Sequence, residues 1–272
     1  VTADFHAYAL ALQVSAVAIG LWATTSTLEG LAGLKRYAPG KLLGGDLFRL
    51  RSGRIDQHFR GGICGTPAAI ATVLALRLVA ALSLLVTRDV PIILIELVLI
   101  VATSSFFSLR LTAPDGADKM GMVAACGALL LALGVVRLDS ELCFAGILWA
   151  GGQLTIAYAT SGYIKLISRG WRDGSTLIEV MQSEMFGSPW AGAAILRVPA
   201  VAIVLGWIVI STETLFPLAL LAPQAVLAAV LAFFVFLHLA IAILLRLSTY
   251  PWAFVATYPS VVLLGAALRA AF

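Results

Sequence analysis

Five ionisable side chains interrupt stretches that are otherwise apolar: Arg77, Glu96, Lys165, Glu213 and His238. A charge at the centre of a bilayer costs about 2.5–3.5 kcal/mol on insertion scales, so each needs a partner or a task. Lys165 has the richest setting. It closes the run Gly152–Leu166, where Tyr158, Ser161 and Lys165 fall three and four residues apart and share one helical face. Gly162 beside them leaves room for a neighbour, and Gln153 adds a buried polar group earlier in the run. Two readings stand. A lysine near a helix end can snorkel to the headgroups. Facing inward, a lysine kept from water gives up its proton more readily and can act as a base near neutral pH.

The other four have plainer readings. Spans two and three are joined by a very short turn, which makes them antiparallel neighbours, so Arg77 and Glu96 read as a structural ion pair. Glu213 lies four residues before Pro217 and reads as a hydrogen-bonded acid bracing a kink, or as a site acid. His238 reads as a core histidine bonded to a neighbouring helix. No metal is expected, because His6 and His58 are remote and no ligand pair has metal spacing. The three cysteines, Cys64, Cys126 and Cys143, are odd in number and suggest no disulfide framework.

The elements that position these groups are membrane helices. The 272 residues are 61% hydrophobic and only 12% charged, about half the charge of a soluble domain. Hydropathy predicts an all-α polytopic bundle forming one domain over 1–272, with eight spans near 7–28, 66–86, 90–111, 120–136, 142–168, 198–221, 225–247 and 252–271. The first apolar run has no basic segment before it and no small-residue cleavage site after it, and reads as a span. Polar loops are expected at 29–65 and 169–196. In the second, Thr176–Glu179 reads as a capping box opening a short helix over 175–186, ended by Gly187 and Pro189. That helix either lies flat in the interface or packs on the bundle.

The net charge of +4 comes without the basic-aromatic pattern of a nucleic-acid binder, so membrane lipid is the expected partner. Loops after the odd-numbered spans hold 14 of the 18 lysines and arginines, against three on the other side. The positive-inside rule makes that richer side cytoplasmic.

The pattern Gly152-Gln153-x4-Tyr158-x3-Gly162-x2-Lys165-Leu166, followed by Trp171 and Gly174, resembles the central motif of the HTTM membrane family, which includes the vitamin K-dependent gamma-glutamyl carboxylases. Phe234-x-Phe236-x-His238, Tyr250-Pro251 and the Ala256–Val262 stretch resemble a second block, and Glu213 falls where that family has an acid. The resemblance covers about 150–262.

It implies a bacterial cell-membrane enzyme, or a maturation factor for a secreted peptide, using a vitamin K-like quinone or hydroquinone. Lys165 would be the base, with Tyr158, Trp171 and His238 around the cofactor. Partners would be a peptide or protein substrate or a membrane complex. The sequence departs from the carboxylases at Ile164, where they have a second lysine, and at Asp115–Lys119, where they have Asn-His. The resemblance also places the lysine motif outside, against the charge count. Two further classes are open: a non-catalytic integral membrane subunit, and an immunity or transport protein. No pair of Gly/Pro-broken helices in matching halves favours a transporter.

Overall fold

The computed structural model describes residues 5–37, 66–108, 115–183 and 187–271. Expectations for Lys41, the arginines at 49, 51, 54 and 60, His58 and Cys64 lie outside these residues, as does the end of the predicted 175–186 helix. The described chain is helical throughout. The long helices are α1 (Phe5–Ala32), α2 (Pro67–Val86), α3 (Val90–Ser108), α4 (Gly116–Arg137) and α5 (Ser140–Ile167). After a single helical turn at Arg169–Arg172 come two short helices, α6 (Ser175–Gln182) and α7 (Pro189–Arg197). The chain then runs through α8 (Pro199–Ala219), α9 (Gln224–Leu244), α10 (Tyr250–Val255) and α11 (Tyr258–Ala271). Taking α10 and α11 together, eight helices are long and apolar enough to cross a membrane. The chain is a multi-pass membrane protein of the all-α class.

Local chemistry sets the element ends. Thr66 caps α2, accepting from Ala69 N at 3.2 Å, and Pro67 occupies the first turn, where its missing N–H is harmless. Asp115 and Asp139 cap α4 and α5 through Asp118 N and Leu142 N. The last span is predicted as one helix but breaks between Val255 and Tyr258, just before Pro259, which has no N–H to continue the ladder. The break turns Phe254 and Tyr258 inward.

The bundle is organised around α5, which packs on α4, α8 and α11. Its buried stripe is Gly151, Leu154, Tyr158 and Gly162, a period of three to four. Gln153 falls off that stripe and is exposed, so the expectation of a buried Gln153 is corrected. One residue from Leu154 means about 100° of rotation, enough to turn the amide out of the bundle. Large apolar side chains such as Val201, Val204, Phe236 and Ile243 face outward, as a lipid-facing surface requires.

The connection between α5 and α8 differs from the sequence expectation. Helix α6 opens after Gly174, which has φ 81° and provides no side-chain cap. Thr176 therefore lies inside the helix, and the capping box is not made. Only glycine adopts that backbone conformation without strain. Pro189, expected to end a helix, instead starts α7. A proline can do either, and only its place relative to the following apolar run decides which.

Candidate functional site

Two helices meet where their backbones can approach most closely. A Cβ on Gly162 would lie 2.4 Å from Thr214 N, so only a glycine permits this crossing of α5 and α8. One turn further along α5, Lys165 comes level with Glu213. Its Nζ donates to Glu213 Oε2 at 2.6 Å and to Ser161 Oγ at 2.5 Å. The ammonium also lies 5.2 Å from the centre of the Trp171 ring, within cation–π range. Both charged side chains are largely buried, at 15% and 10% exposure. Lys165 therefore faces the bundle and does not snorkel.

The partners sit at very different positions in their helices. Lys165 is two residues from the end of α5, whereas Glu213 is fourteen residues beyond the start of α8, about 21 Å along it. The segment after α5 makes up the difference by folding back along α8. Gly174 is pressed against Ile203 N and Trp171 O against Gly206, so this segment runs along α8 and brings the Trp171 ring over the Lys165 ammonium. Pro217 also plays a part. It cannot donate to the carbonyl of Glu213, four residues earlier, so the α8 backbone is loosened at the residue that carries the acid.

Beside the ion pair is a tier of rings. Tyr158 stacks on Phe234 at 4.1 Å and meets Phe216 edge-on at 4.8 Å. Its hydroxyl is 3.2 Å from that of Tyr258. His238 lies 4.2 Å from Phe254 and 6.0 Å from Tyr158. Its Nδ1 is 2.6 Å from the Phe234 carbonyl. A carbonyl only accepts, so Nδ1 carries the proton. The bond stays within α9, where the sequence suggested one to a neighbouring helix.

Tyr158 and His238 thus come together, and so do Lys165, Glu213 and Trp171. Phe216, one turn after Glu213, joins the two groups. The ring tier is closed: Tyr158, Phe234 and His238 are at most 4% exposed, and stacking at these distances leaves no slot for another ring. A quinone does not fit between Tyr158 and His238. The open edge is at half-buried Trp171 and Lys165.

The expected Arg77–Glu96 ion pair is absent and is corrected. Arg77 lies over the Trp22 ring of α1, 4.9 Å from its centre, and its Nε has no hydrogen-bond partner among the described residues. Glu96 Oε2 is likewise buried without a partner. Antiparallel neighbours share a face only if both side chains rotate toward it, and Arg77 turns to α1. Among the described residues no group of three or more His, Cys, Asp or Glu could hold a metal ion. Comparison with protein-family models, with curated proteins and with solved structures finds no match to the chain.

Sequence reasoning missed Tyr258, Phe254 and Phe216. Glu213 and Lys165 each stand out in the sequence, but nothing in it joins them. The available signal was Gly162, three residues before Lys165, marking where a second helix could come close.

Proposed function

We propose that the chain is a membrane-embedded enzyme of the gamma-carboxylase-like kind in a bacterial cell membrane, either quinone-linked or serving the maturation of a secreted peptide. The observation that supports it is the Lys165–Glu213–Ser161 group held within the bundle beside Trp171. Moving one proton from Nζ to Oε2 converts an ion pair into a neutral amine and a neutral acid. Net charge is unchanged, so the step separates no charge in a low-dielectric site. The neutral amine is then a base for a hydroxyl proton, and the ammonium it becomes stands beside the oxyanion it creates. Ser161 fixes the direction of the amine, and Trp171 covers it.

A reduced quinone, when bound, would supply the hydroxyl and the reducing equivalents. The side chains that would hold it are Lys165 and Trp171, at the open edge. In this reading Tyr158 and His238 are positioning residues. They brace Phe216 and with it the α8 segment that carries Glu213.

The test is purification from membranes, identification of any copurified quinone, and quinol oxidation by wild type and Lys165→Met. General-base loss predicts a rate lower by about 10²–10⁴-fold in a variant that still folds. A folded Lys165→Met protein with full turnover overturns the proposal.

A second reading, a non-catalytic subunit of a membrane complex, is favoured by the completeness of the pairing, since Glu213, Ser161 and Trp171 already surround the ammonium. It predicts a stoichiometric protein partner, and full function in a Lys165→Met/Glu213→Leu double variant.

A further inference from the structure

A second set of charges lies apart from the Lys165 group. Between the last turns of α1 and α3, the first turn of α4 and the middle of α2 is a cavity of about 260 Å³, lined by Glu29, Arg36, Arg77, Asp115, Asp118 and Thr249 among others. It is a little smaller than the ~300–1,000 Å³ of sites for drug-sized ligands, so its occupant is small.

Several of these groups are already engaged. Asp115 accepts from Asp118 N at 2.8 Å as the cap of α4. Glu29 accepts from the Ser248 hydroxyl. Arg77 and Asp118 attract each other without touching. Arg77 is 5% exposed, and its Nε is buried without an acceptor among the described residues. The Asp118 carboxylate, on the facing helix, has no hydrogen-bonded side-chain partner among the described residues, and its attraction to Arg77 stops short of an ion-pair contact. A buried guanidinium edge without an acceptor is costly and, in a native fold, calls for a missing partner.

The sign pattern narrows what that partner is. A simple anion would satisfy Arg77 and Arg36 but would face Asp118 and Glu29. A simple cation would meet the reverse. A molecule carrying both charges a few bonds apart answers both.

We propose that this cavity binds a small zwitterion, with an oxyanion on Arg77 and a primary ammonium on Asp118. That chemistry comes either as the phosphoethanolamine headgroup of a lipid or as a free small molecule. The site does not depend on the function proposed for Lys165.

The experiment titrates the purified protein in non-ionic detergent with O-phosphoethanolamine by calorimetry, with inorganic phosphate and ethanolamine as half-ligands. Native mass spectrometry from nanodiscs of phosphatidylethanolamine and phosphatidylglycerol supplies the lipid arm. Saturable binding of phosphoethanolamine is expected, at least tenfold tighter than either half, and at least tenfold weaker in Arg77→Gln and in Asp118→Asn. Selective retention of phosphatidylethanolamine, lost in both variants, identifies the lipid as the source. Binding of the soluble probe with no lipid preference identifies a free ligand. The inference is overturned if phosphate alone binds as tightly as phosphoethanolamine. It is equally overturned if Asp118→Asn leaves binding unchanged, or if neither the probe nor the lipid binds. Asp118 is only half-buried, so that variant keeps the test decisive even if Arg77→Gln does not fold.

Discussion

Lys165 and Arg77 are both cations within the bundle, and the protein treats them in opposite ways. Lys165 has a carboxylate at 2.6 Å, a hydroxyl at 2.5 Å and a ring at 5.2 Å. Arg77 has one ring at 4.9 Å, a cavity and an Nε with no acceptor among the described residues. The first arrangement is complete in itself, so that removing a piece injures it. The second is incomplete, so that adding a piece mends it. Burial alone therefore says little about whether an intramembrane charge supports the fold. What matters is whether a partner stands in contact with it.

The sharpest way to break this contrast is to delete the acid. Glu213→Leu leaves the Lys165 ammonium buried with only a hydroxyl and a ring. Removing one member of a buried pair costs about 3–5 kcal/mol, and a loss of that size is expected in reversible unfolding in detergent. The double variant Lys165→Met/Glu213→Leu should recover most of it. If the single variant is as stable as wild type, the pair is not complete in the sense argued here.

The next effect comes from the crossing that makes the pair possible. In Gly162→Ala the new Cβ meets backbone, not a movable side chain, 2.4 Å from Thr214 N. Overpacking of this kind costs about 1–3 kcal/mol. It also pushes α8 away from Lys165, so stability and any Lys165-dependent activity should fall together. Falling separately, they would show that the crossing and the pair are independent.

Arg77→Gln should do much less. The variant discards a buried charge that Asp118 attracts without touching, along with a single cation–π contact worth roughly 1–2 kcal/mol when desolvated, and the two effects oppose. A change of at most about 1 kcal/mol in either direction is expected. A loss as large as that of Glu213→Leu would mean that Arg77 is as fully partnered as Lys165, and the contrast would collapse.

The contrast also marks what a sequence can disclose. Hydropathy places all eight spans because lipid imposes a length and a composition on each. The Tyr158–Ser161–Lys165 face follows from helical period, and of the two readings of Lys165 the inward one holds. Pairing does not follow. Glu213 is 48 residues from Lys165, and nothing local fixes the offset that sets residue fifteen of one helix beside the end of another. Arg77 and Glu96 read as partners because a short turn makes their helices antiparallel neighbours, but adjacency says nothing of rotation about each helix axis. Thr176–Glu179 has the composition of a capping box, and Gly174 supplants it through a backbone angle that composition does not report. The functional reading built on Lys165 keeps its geometry but is supported by no relative.

The smallest effect belongs to a charge that is neither buried nor in the bundle. Asp173, in the segment that brings the Trp171 ring over Lys165, accepts from Ser175 N at 3.0 Å and lies 3.8 Å from Arg169. The hydrogen bonds from Ser175, with help from Arg169 and Arg172, hold its carboxyl below the usual carboxylate value. A carboxyl so lowered in the folded state contributes stability above its unfolded value near 4, and that contribution fades as the pH falls through the lower folded value. Exposure to water keeps it slight. Asp173→Asn should therefore shift the melting temperature less than any variant above, with the difference from wild type present at pH 7 and shrinking toward pH 3. A pH-independent difference would assign the effect to the amide's altered hydrogen bonding. A difference as large as that of Gly162→Ala would show that the covering segment, and not the α5–α8 crossing, holds Lys165 against Glu213.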